Sequence, residues 1–161
     1  MSKEVVILTI AWIVTIIVLV LTIPKNKVRE AQVIFFFKQL ITWLIGLIVA
    51  QLGLIEYPVR LFSYASKASF TFEYFIYPAI CVVFNLHYPE GKSLKRQLMH
   101  YFSYCSAITI IEVLCERYTN IIKYIHWTWY ITWITLFITF FMTRKYYVWF
   151  FKLKGRHRSE G

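Results

Sequence analysis

The chain of 161 residues contains no aspartate, and all eight of its acidic residues are glutamates. This absence excludes chemistry that needs an aspartate, such as phosphoryl transfer through an aspartyl phosphate. Charged residues of any kind make up only 16% of the chain, whereas a soluble protein has about 25%. The chain therefore carries too few charges to cover the surface of an ordinary soluble domain.

Glycine, proline and cysteine are also scarce, with five, four and three residues. No long linker, repeat or low-complexity block is present, which favours a single domain over residues 1–161. Cys81, Cys105 and Cys115 lie in apolar stretches without a CxxC pair, and we interpret them as buried thiols. Because the sequence also lacks GxSxG, HExxH and glycine-rich phosphate motifs, we predict no catalytic residue, no cofactor and no enzymatic activity.

What the chain does have is apolar and aromatic residues, at 59% and 20% of its length. They form five stretches that are each close to the roughly twenty residues a membrane-spanning helix needs. The sequence therefore predicts an all-α integral membrane bundle of five transmembrane helices, followed by a basic tail at 144–161. The predicted spans are 5–23, 31–54, 70–87, 98–117 and 127–143.

The basic residues are distributed unevenly between the two sides that five spans would create. One side holds twelve Lys and Arg residues and the other side holds five. Positively charged loops stay in the cytoplasm, so this asymmetry predicts an N-terminus outside and a C-terminus in the cytoplasm. The same pattern explains the net charge of +10 without nucleic-acid binding.

Polar side chains recur at helical spacing on three of the predicted spans, so each span should have one polar face. These faces should point towards one another, because polar groups avoid lipid. They would form either a hydrogen-bonded network or a hydrated cavity. The three sets are Glu73, Tyr77, Cys81 and Asn85; Tyr101, Cys105, Thr109, Glu112 and Glu116; and Thr128, Thr132, Thr135, Thr139 and Thr143.

Three further features carry local expectations. Lys38 lies towards the inner end of the second span, where its long side chain is expected to reach the interface. Pro78 is expected to kink the third span, because proline cannot donate the helical hydrogen bond. The stretch 56–69 is too polar to span and is expected to form a short interfacial helix.

A polar network at the outer side is the main candidate site. Four glutamates are expected at similar depth beside four basic residues, and we predict that Glu73, Glu112 and Glu116 point inwards. At least one of these three should pair with Arg60, Arg117, Lys123 or His126. The full candidate network is Glu56, Arg60, Glu73, Tyr77, Glu112, Glu116, Arg117, Lys123 and His126.

Two interpretations of this network stay open. A closed network of ion pairs that supports the fold is favoured by the equal numbers of acids and bases. A proton or cation site is the alternative, because clustered carboxylates repel one another. A metal site formed by Glu73, Glu112, Glu116 and His126 is less favoured, since the paired Glu-x-x-His repeats of bundle metal sites are missing.

Several short motifs occur in a recognisable order. They are Glu56-x-Pro58-x-Arg60, SFTFEYFIYP at 69–78, NLHYP at 85–89, ERYT at 116–119, WTWYITW at 127–133 and WFFK at 149–152. Together they resemble a family of small uncharacterised multi-pass membrane proteins of endospore-forming Firmicutes. The resemblance covers roughly residues 30 to 152 and implies a bacterial plasma-membrane location. It implies no activity, cofactor or catalytic residue.

The sequence therefore favours a non-enzymatic membrane protein of the cell envelope, acting as a structural, accessory or sensing subunit of a membrane complex. The alternative is a small transporter or a proton- or cation-conducting protein that uses the outer glutamates. A membrane-protein partner or a second copy of the chain would fit the first interpretation. The tail residues Lys152, Lys154, Arg156 and Arg158 are expected to contact anionic lipids at the cytoplasmic face.

Overall fold

The computed structural model describes the backbone of residues 2–159 and the side chains of residues 2–152, and this part of the chain is all-α with five helices. Short strands β1 and β2 form one antiparallel pair. The elements are α1 (Lys3–Thr22), a single 3-10 turn (Lys25–Lys27), α2 (Val28–Gln51), β1 (Ile55–Glu56), a π-helical segment (Phe70–Ile76), α3 (Tyr77–Leu86), α4 (Leu94–Tyr118), β2 (Lys123–Tyr124) and α5 (Trp129–Ser159).

Among the described residues, three helical stretches are long and apolar enough to cross a membrane: Lys3–Thr22, Lys25–Gln51 and Leu94–Tyr118. The stretch Phe70–Leu86 is apolar but shorter. The outer faces of the helices carry large, exposed apolar side chains; Leu21 of α1, for example, is 80% exposed. A surface of this kind is suited to lipid as its solvent, which supports the prediction of a membrane protein.

The two ends of the bundle differ in the chain segments that they bring together. At one end the Lys3 ammonium donates to the carbonyl of Tyr118, so α1 begins where α4 ends. We call this the strand end, because β1 and β2 lie there. At the other end, the basic end, the Arg144 guanidinium pairs with Glu90 at 3.0 Å and Tyr147 donates to Glu30.

The core at the basic end is aromatic and tightly packed. Phe84 of α3 is fully buried and meets Tyr101 of α4 and Phe140 of α5, with ring centroids 4.8 and 4.9 Å apart. The small thiols Cys81 and Cys105 are fully buried beside them, as predicted. This cluster joins three helices and leaves little room for polar groups.

The segment that leads into α3 is a π-helix, which is wider than an α-helix, and it ends just before Pro78. The Tyr77 N–H donates to the carbonyl of Phe72, five residues back, which is the π pattern. The Glu73 carbonyl thereby loses its usual donor, and Pro78 has no N–H for the Tyr74 carbonyl. The irregularity is therefore a π-helical segment, with Pro78 in the first turn of α3.

Helix α2 supplies the donors that the π segment lacks. The Thr42 hydroxyl lies 2.7 Å from the Glu73 carbonyl, and the Gln39 amide donates to the Tyr74 carbonyl at 2.8 Å. Carbonyls without a donor are costly away from water, so side chains of a neighbouring helix commonly satisfy them in membrane proteins. These two bonds fix the π segment against α2.

The strand end is closed by β1 and β2, which the sequence analysis did not predict. Ile55 is opposite Tyr124 and Glu56 is opposite Lys123. The Ile125 and His126 N–H groups extend the pairing by donating to the carbonyl of Leu54. Residues 57–69 form turns, so the expected interfacial helix at 56–69 is wrong.

Helix α5 continues without a break through the predicted boundary at residue 143 to Ser159. The basic tail therefore begins as a helix. Lys152 is exposed, whereas the side chains of Lys154, Arg156 and Arg158 lie outside the described residues.

Candidate functional site

Glu112 lies inside the bundle and accepts three hydrogen bonds from hydroxyl groups. Its Oε2 accepts from the Tyr77 hydroxyl at 2.5 Å, while Oε1 accepts from the Tyr124 hydroxyl at 2.6 Å and from Thr132 Oγ1 at 2.8 Å. The residue is only 9% exposed. One carboxylate thus connects α4 with α3, α5 and β2.

Glu73 lies in the π segment and is the second carboxyl group of the interior. Its Oε1 accepts from the Tyr57 hydroxyl at 3.0 Å. Tyr57 thus donates a hydrogen bond to Glu73, as Tyr124 does to Glu112. The Glu73 side chain passes directly over Gly46 of α2. A Cβ atom at Gly46 would lie 2.8 Å from Glu73 Cγ, which is too close for two carbon atoms. Only glycine, which has no Cβ, avoids this clash.

A small, partly open cavity of about 50 Å³ lies between these groups. It is large enough for water, since one water molecule needs only about 10–15 Å³ of space for its centre. Both carboxyl groups border it, together with threonines from two helices. The polar side chains on its wall are Thr42, Tyr57, Glu73, Tyr77, Glu112, Thr132, Thr135 and Thr139.

Lys38 corrects the expectation of a side chain that reaches the interface. It is fully buried, and its ammonium donates to the hydroxyl of Thr139 and lies 4.3 Å from the centroid of the Phe140 ring. Lys38 shares one face of α2 with Thr42 and Gly46, at successive four-residue spacings. This face points at the interior, and all three residues are buried.

The predicted polar faces do point towards one another. Tyr77, Cys81 and Asn85 of α3 are buried, as are Tyr101, Cys105, Thr109 and Glu112 of α4, and Thr132, Thr139 and Thr143 of α5. Several of the threonines donate to carbonyls one turn back in their own helix; Thr139 and Thr143 are examples. Thr132 is different, because its hydroxyl donates to Glu112.

The predicted ion pairing of the interior glutamates is wrong. Among the described side chains, the single ion pair joins Arg144 and Glu90 at the basic end. Arg60 instead donates to the carbonyls of Tyr57, Ser63 and Ser66 and holds the loop after β1. Arg117, Lys123 and His126 are exposed at the strand end. The partners of Glu73 and Glu112 are hydroxyl groups and not the predicted basic side chains.

Two of the predicted glutamates do not belong to the interior site. Glu56 is exposed on β1, and Glu116 is only partly buried near the end of α4. The alternative metal site is not assembled either. Within the residues whose side chains are described, no group of three or more His, Cys, Asp or Glu side chains is arranged to hold a metal ion.

The two strand tyrosines are held in their neutral form. Burial raises the pKa of Tyr57 well above its usual range, and the charges of Glu73 and Glu112 raise it further. Burial and the neighbouring Glu112 likewise raise the pKa of Tyr124. Both hydroxyl groups therefore keep their protons and act as donors to the carboxylates.

Sequence reasoning missed four important residues of this site, namely Lys38, Tyr57, Tyr124 and Gly46 in its contact with Glu73. A signal existed for Lys38, because a lone lysine within an apolar span that shares a face with Thr42 and Gly46 points to a buried position. No such signal existed for the tyrosines, which lie outside the predicted spans. Only the strand pairing brings them to the carboxylates.

Comparison with known protein families, with curated proteins and with solved structures finds no match for this chain. The resemblance to membrane proteins of endospore-forming Firmicutes accordingly stays a prediction. The function is argued below from the interior site alone.

Proposed function

We propose that this protein is a non-enzymatic multi-pass membrane protein of a bacterial cell envelope that senses protons at Glu73 and Glu112. In this proposal it acts as an accessory or sensing subunit of a membrane complex. The five predicted spans, with the N-terminus outside, the C-terminus in the cytoplasm and anionic lipids around the basic end, belong to the same proposal.

The observation that carries the proposal is the position of Glu112, which is buried within the bundle with three hydroxyl donors and no cation. A charged group at such a place is costly, and the cost falls when a proton neutralises it. The interior holds two carboxyl groups, Glu73 and Glu112, and one ammonium group, Lys38. A single bound proton therefore brings its net charge to zero.

Protonation of Glu112 would also change its contacts. A charged carboxylate only accepts hydrogen bonds, whereas a protonated one donates one of its own. The new O–H then needs an acceptor, which one of the three hydroxyl groups around Glu112 supplies if it reverses its role. Since these groups belong to α3, α5 and β2, a change at one atom is transmitted to three elements.

Infrared spectroscopy of the protein in lipid nanodiscs tests this proposal. As the pH falls, a carboxylic acid C=O band should appear, and it should decrease in both Glu73→Gln and Glu112→Gln. Glu116→Gln is the matched control, because Glu116 is on the same helix as Glu112 but accepts none of the interior hydrogen bonds. An unchanged band in both interior variants would refute proton sensing at this site.

A second candidate function is proton or cation conduction. It is supported by Lys38 and Thr139, which continue the polar side chains from the cavity towards the basic end. The packed rings of Phe84 and Phe140 lie on the same route and oppose it. Flux into liposomes that contain the protein would distinguish the two functions, since a conductor should lose its flux in Glu112→Gln and a sensor should show none.

A further inference from the structure

The strand pair of β1 and β2 covers the carboxyl groups of the interior. Each strand region contributes one tyrosine, and the two tyrosines divide the site between them: Tyr57 binds Glu73 and Tyr124 binds Glu112. The backbone bonds between the strands make these tyrosines part of one unit. Neither hydroxyl can withdraw far while the strands stay paired and seated.

Apolar side chains of the strand region fix this unit to the bundle. Ile55, Ile121 and Ile122 are at most 5% exposed, and the Trp127 indole donates to Thr132 Oγ1 beside Glu112. On the opposite face of the pair, Glu56 and Lys123 are exposed. The strand pair thus has one face on the carboxyl site and the other towards the surroundings.

In the other two directions from the site we find packed rings and a largely apolar cleft. Towards the basic end lie Phe84, Tyr101 and Phe140, which are buried and in mutual contact. Between α1, α3 and α4 there is a partly open cleft of about 400 Å³, which Glu112 and Tyr77 border and whose wall is otherwise almost entirely apolar. Packed rings thus close the first direction and apolar side chains line the second, so neither is suited to a hydrated path for protons.

We propose that the strand pair of β1 and β2 is a gate, with Tyr57 and Tyr124 as its latches, through which Glu73 and Glu112 exchange protons with the strand end of the bundle alone. In this proposal the gate opens when the two strands separate, which withdraws both tyrosine hydroxyls from Glu73 and Glu112. This inference rests on the proposed proton sensing and adds the side of access and the element that controls it.

The strength of the hydrogen bonds from Tyr57 and Tyr124 depends on whether the carboxyl groups are protonated. A hydrogen bond to a charged carboxylate is stronger than one to a neutral carboxyl group. The gate is therefore held most firmly when both carboxyl groups are deprotonated, and it loosens after a proton has bound. Proton capture is accordingly limited by opening of the gate rather than by diffusion.

A disulfide across the strands tests the gate directly. Glu56 and Lys123 are partners in the strand register and point away from the site, and antiparallel partners have Cα atoms about 4.5–5.5 Å apart, within the range of a disulfide. The protein carrying Glu56→Cys and Lys123→Cys, with Cys81, Cys105 and Cys115 changed to Ala, is placed in nanodiscs. The infrared carboxyl signal is followed after a rapid drop in pH.

The expected result is that oxidation slows the carboxyl signal by at least about tenfold and that a reducing agent restores its rate. Single-cysteine variants treated with the same oxidant are the control and should show no slowing. If the oxidised protein protonates as fast as the reduced protein, the gate is refuted while proton sensing stands. If no carboxyl signal depends on Glu73 or Glu112, sensing and gate are both refuted.

A second pair of variants tests the gate independently, so a disulfide protein that does not fold leaves the proposal testable. Tyr57→Phe and Tyr124→Phe remove only the latch hydroxyls and should speed proton uptake by roughly tenfold, the order of effect of one hydrogen bond to a charged group. Tyr118→Phe is the matched control, because Tyr118 is exposed at the same end of the bundle. Equal rates in the latch variants and the control would refute the gate.

Discussion

Each interior carboxyl group is held by hydroxyl groups of tyrosine and threonine. A hydroxyl group is cheaper to bury than an ammonium or guanidinium group, and it donates to a carboxylate equally directly. Arg60 shows where the basic groups go: it donates to three carbonyls of its own loop. The proposed proton sensing depends on this use of hydroxyl groups in place of cationic partners.

Gly46 leaves the space that the Glu73 side chain occupies, and this contact gives the first prediction of the Discussion. In Gly46→Ala the new Cβ would lie 2.8 Å from Glu73 Cγ, so the glutamate must move. We expect the free energy of unfolding to fall by about 1–3 kcal/mol, the usual cost of overpacking. Unfolding in mixed micelles at increasing SDS concentration measures it.

The control for this prediction is the same substitution in a Glu73→Ala background. Without the glutamate side chain nothing opposes the Cβ, and alanine is favoured over glycine within a helix by about 0.5–1 kcal/mol. Gly46→Ala should therefore change from destabilising to neutral or stabilising. The same loss of stability in both backgrounds would contradict the proposed contact.

The strand tyrosines predict a specific dependence of stability on pH. Tyr57 and Tyr124 have raised pKa values in the folded protein, whereas in the unfolded chain they lose their protons near pH 10. Their contribution to stability is complete below about pH 10 and falls above it, by about 1.4 kcal/mol per pH unit for each tyrosine. Tyr57→Phe and Tyr124→Phe should each remove part of this alkaline slope, whereas Tyr118→Phe should not.

At the level of elements, α2 and the π segment depend on one another. The π pattern frees the carbonyls of Glu73 and Tyr74, and α2 carries the two side chains that satisfy them, Gln39 and Thr42. The same turn of α2 brings Gly46 under Glu73. The carboxyl group is thus positioned by a helix irregularity that a neighbouring helix stabilises.

This dependence predicts unequal costs for two buried threonines. Thr42 and Thr109 are both 5% exposed, and each hydroxyl lies 2.8 Å from a carbonyl one turn back, but only Thr42 also reaches a carbonyl of another element, that of Glu73 at 2.7 Å. Thr42→Val should lower the free energy of unfolding by about 1–3 kcal/mol more than Thr109→Val, because it leaves the Glu73 carbonyl without a donor. Equal costs in SDS unfolding would show that the bond from α2 is not important.

Helical periodicity was enough to predict the buried polar faces. Because lipid surrounds the bundle and the interior is polar, polar side chains recur once per helical turn on the inward face. It correctly placed Tyr77, Glu112 and Thr132 inside. It failed for contacts that depend on distant parts of the chain. The pairing of β1 with β2 joins residues almost seventy positions apart, and without it Tyr57 and Tyr124 cannot be assigned to the carboxyl groups.

Pairing by charge failed for a different reason. Equal numbers of acids and bases on one side of the bundle do not tell how deeply each side chain lies within it. Glu112 lies below the strand pair, whereas Lys123 and His126 lie on its exposed side. Lys38, assigned to the interface, is the basic residue that reaches the interior, because its face of α2 turns towards Thr139.

For the whole molecule, the asymmetry of charge between the two ends determines the expected orientation. The contacts of Arg144 with Glu90 and of Tyr147 with Glu30 bring the basic segments to one end of the bundle. Lysine- and arginine-rich segments are retained in the cytoplasm during insertion. The strand end, with the proposed gate and the carboxyl groups below it, would then face the outside.

Cysteine labelling tests this orientation together with the short apolar stretch Phe70–Leu86. Ala65 and Ser93 are both exposed and flank the stretch Phe70–Leu86, which is apolar but shorter than the other candidate spans. In protein without its native cysteines, Ala65→Cys should react with a membrane-impermeant thiol reagent on intact cells, and Ser93→Cys only after permeabilisation. The reverse pattern would contradict the orientation. Reaction of both from one side would mean that Phe70–Leu86 does not cross, and would leave fewer than five spans.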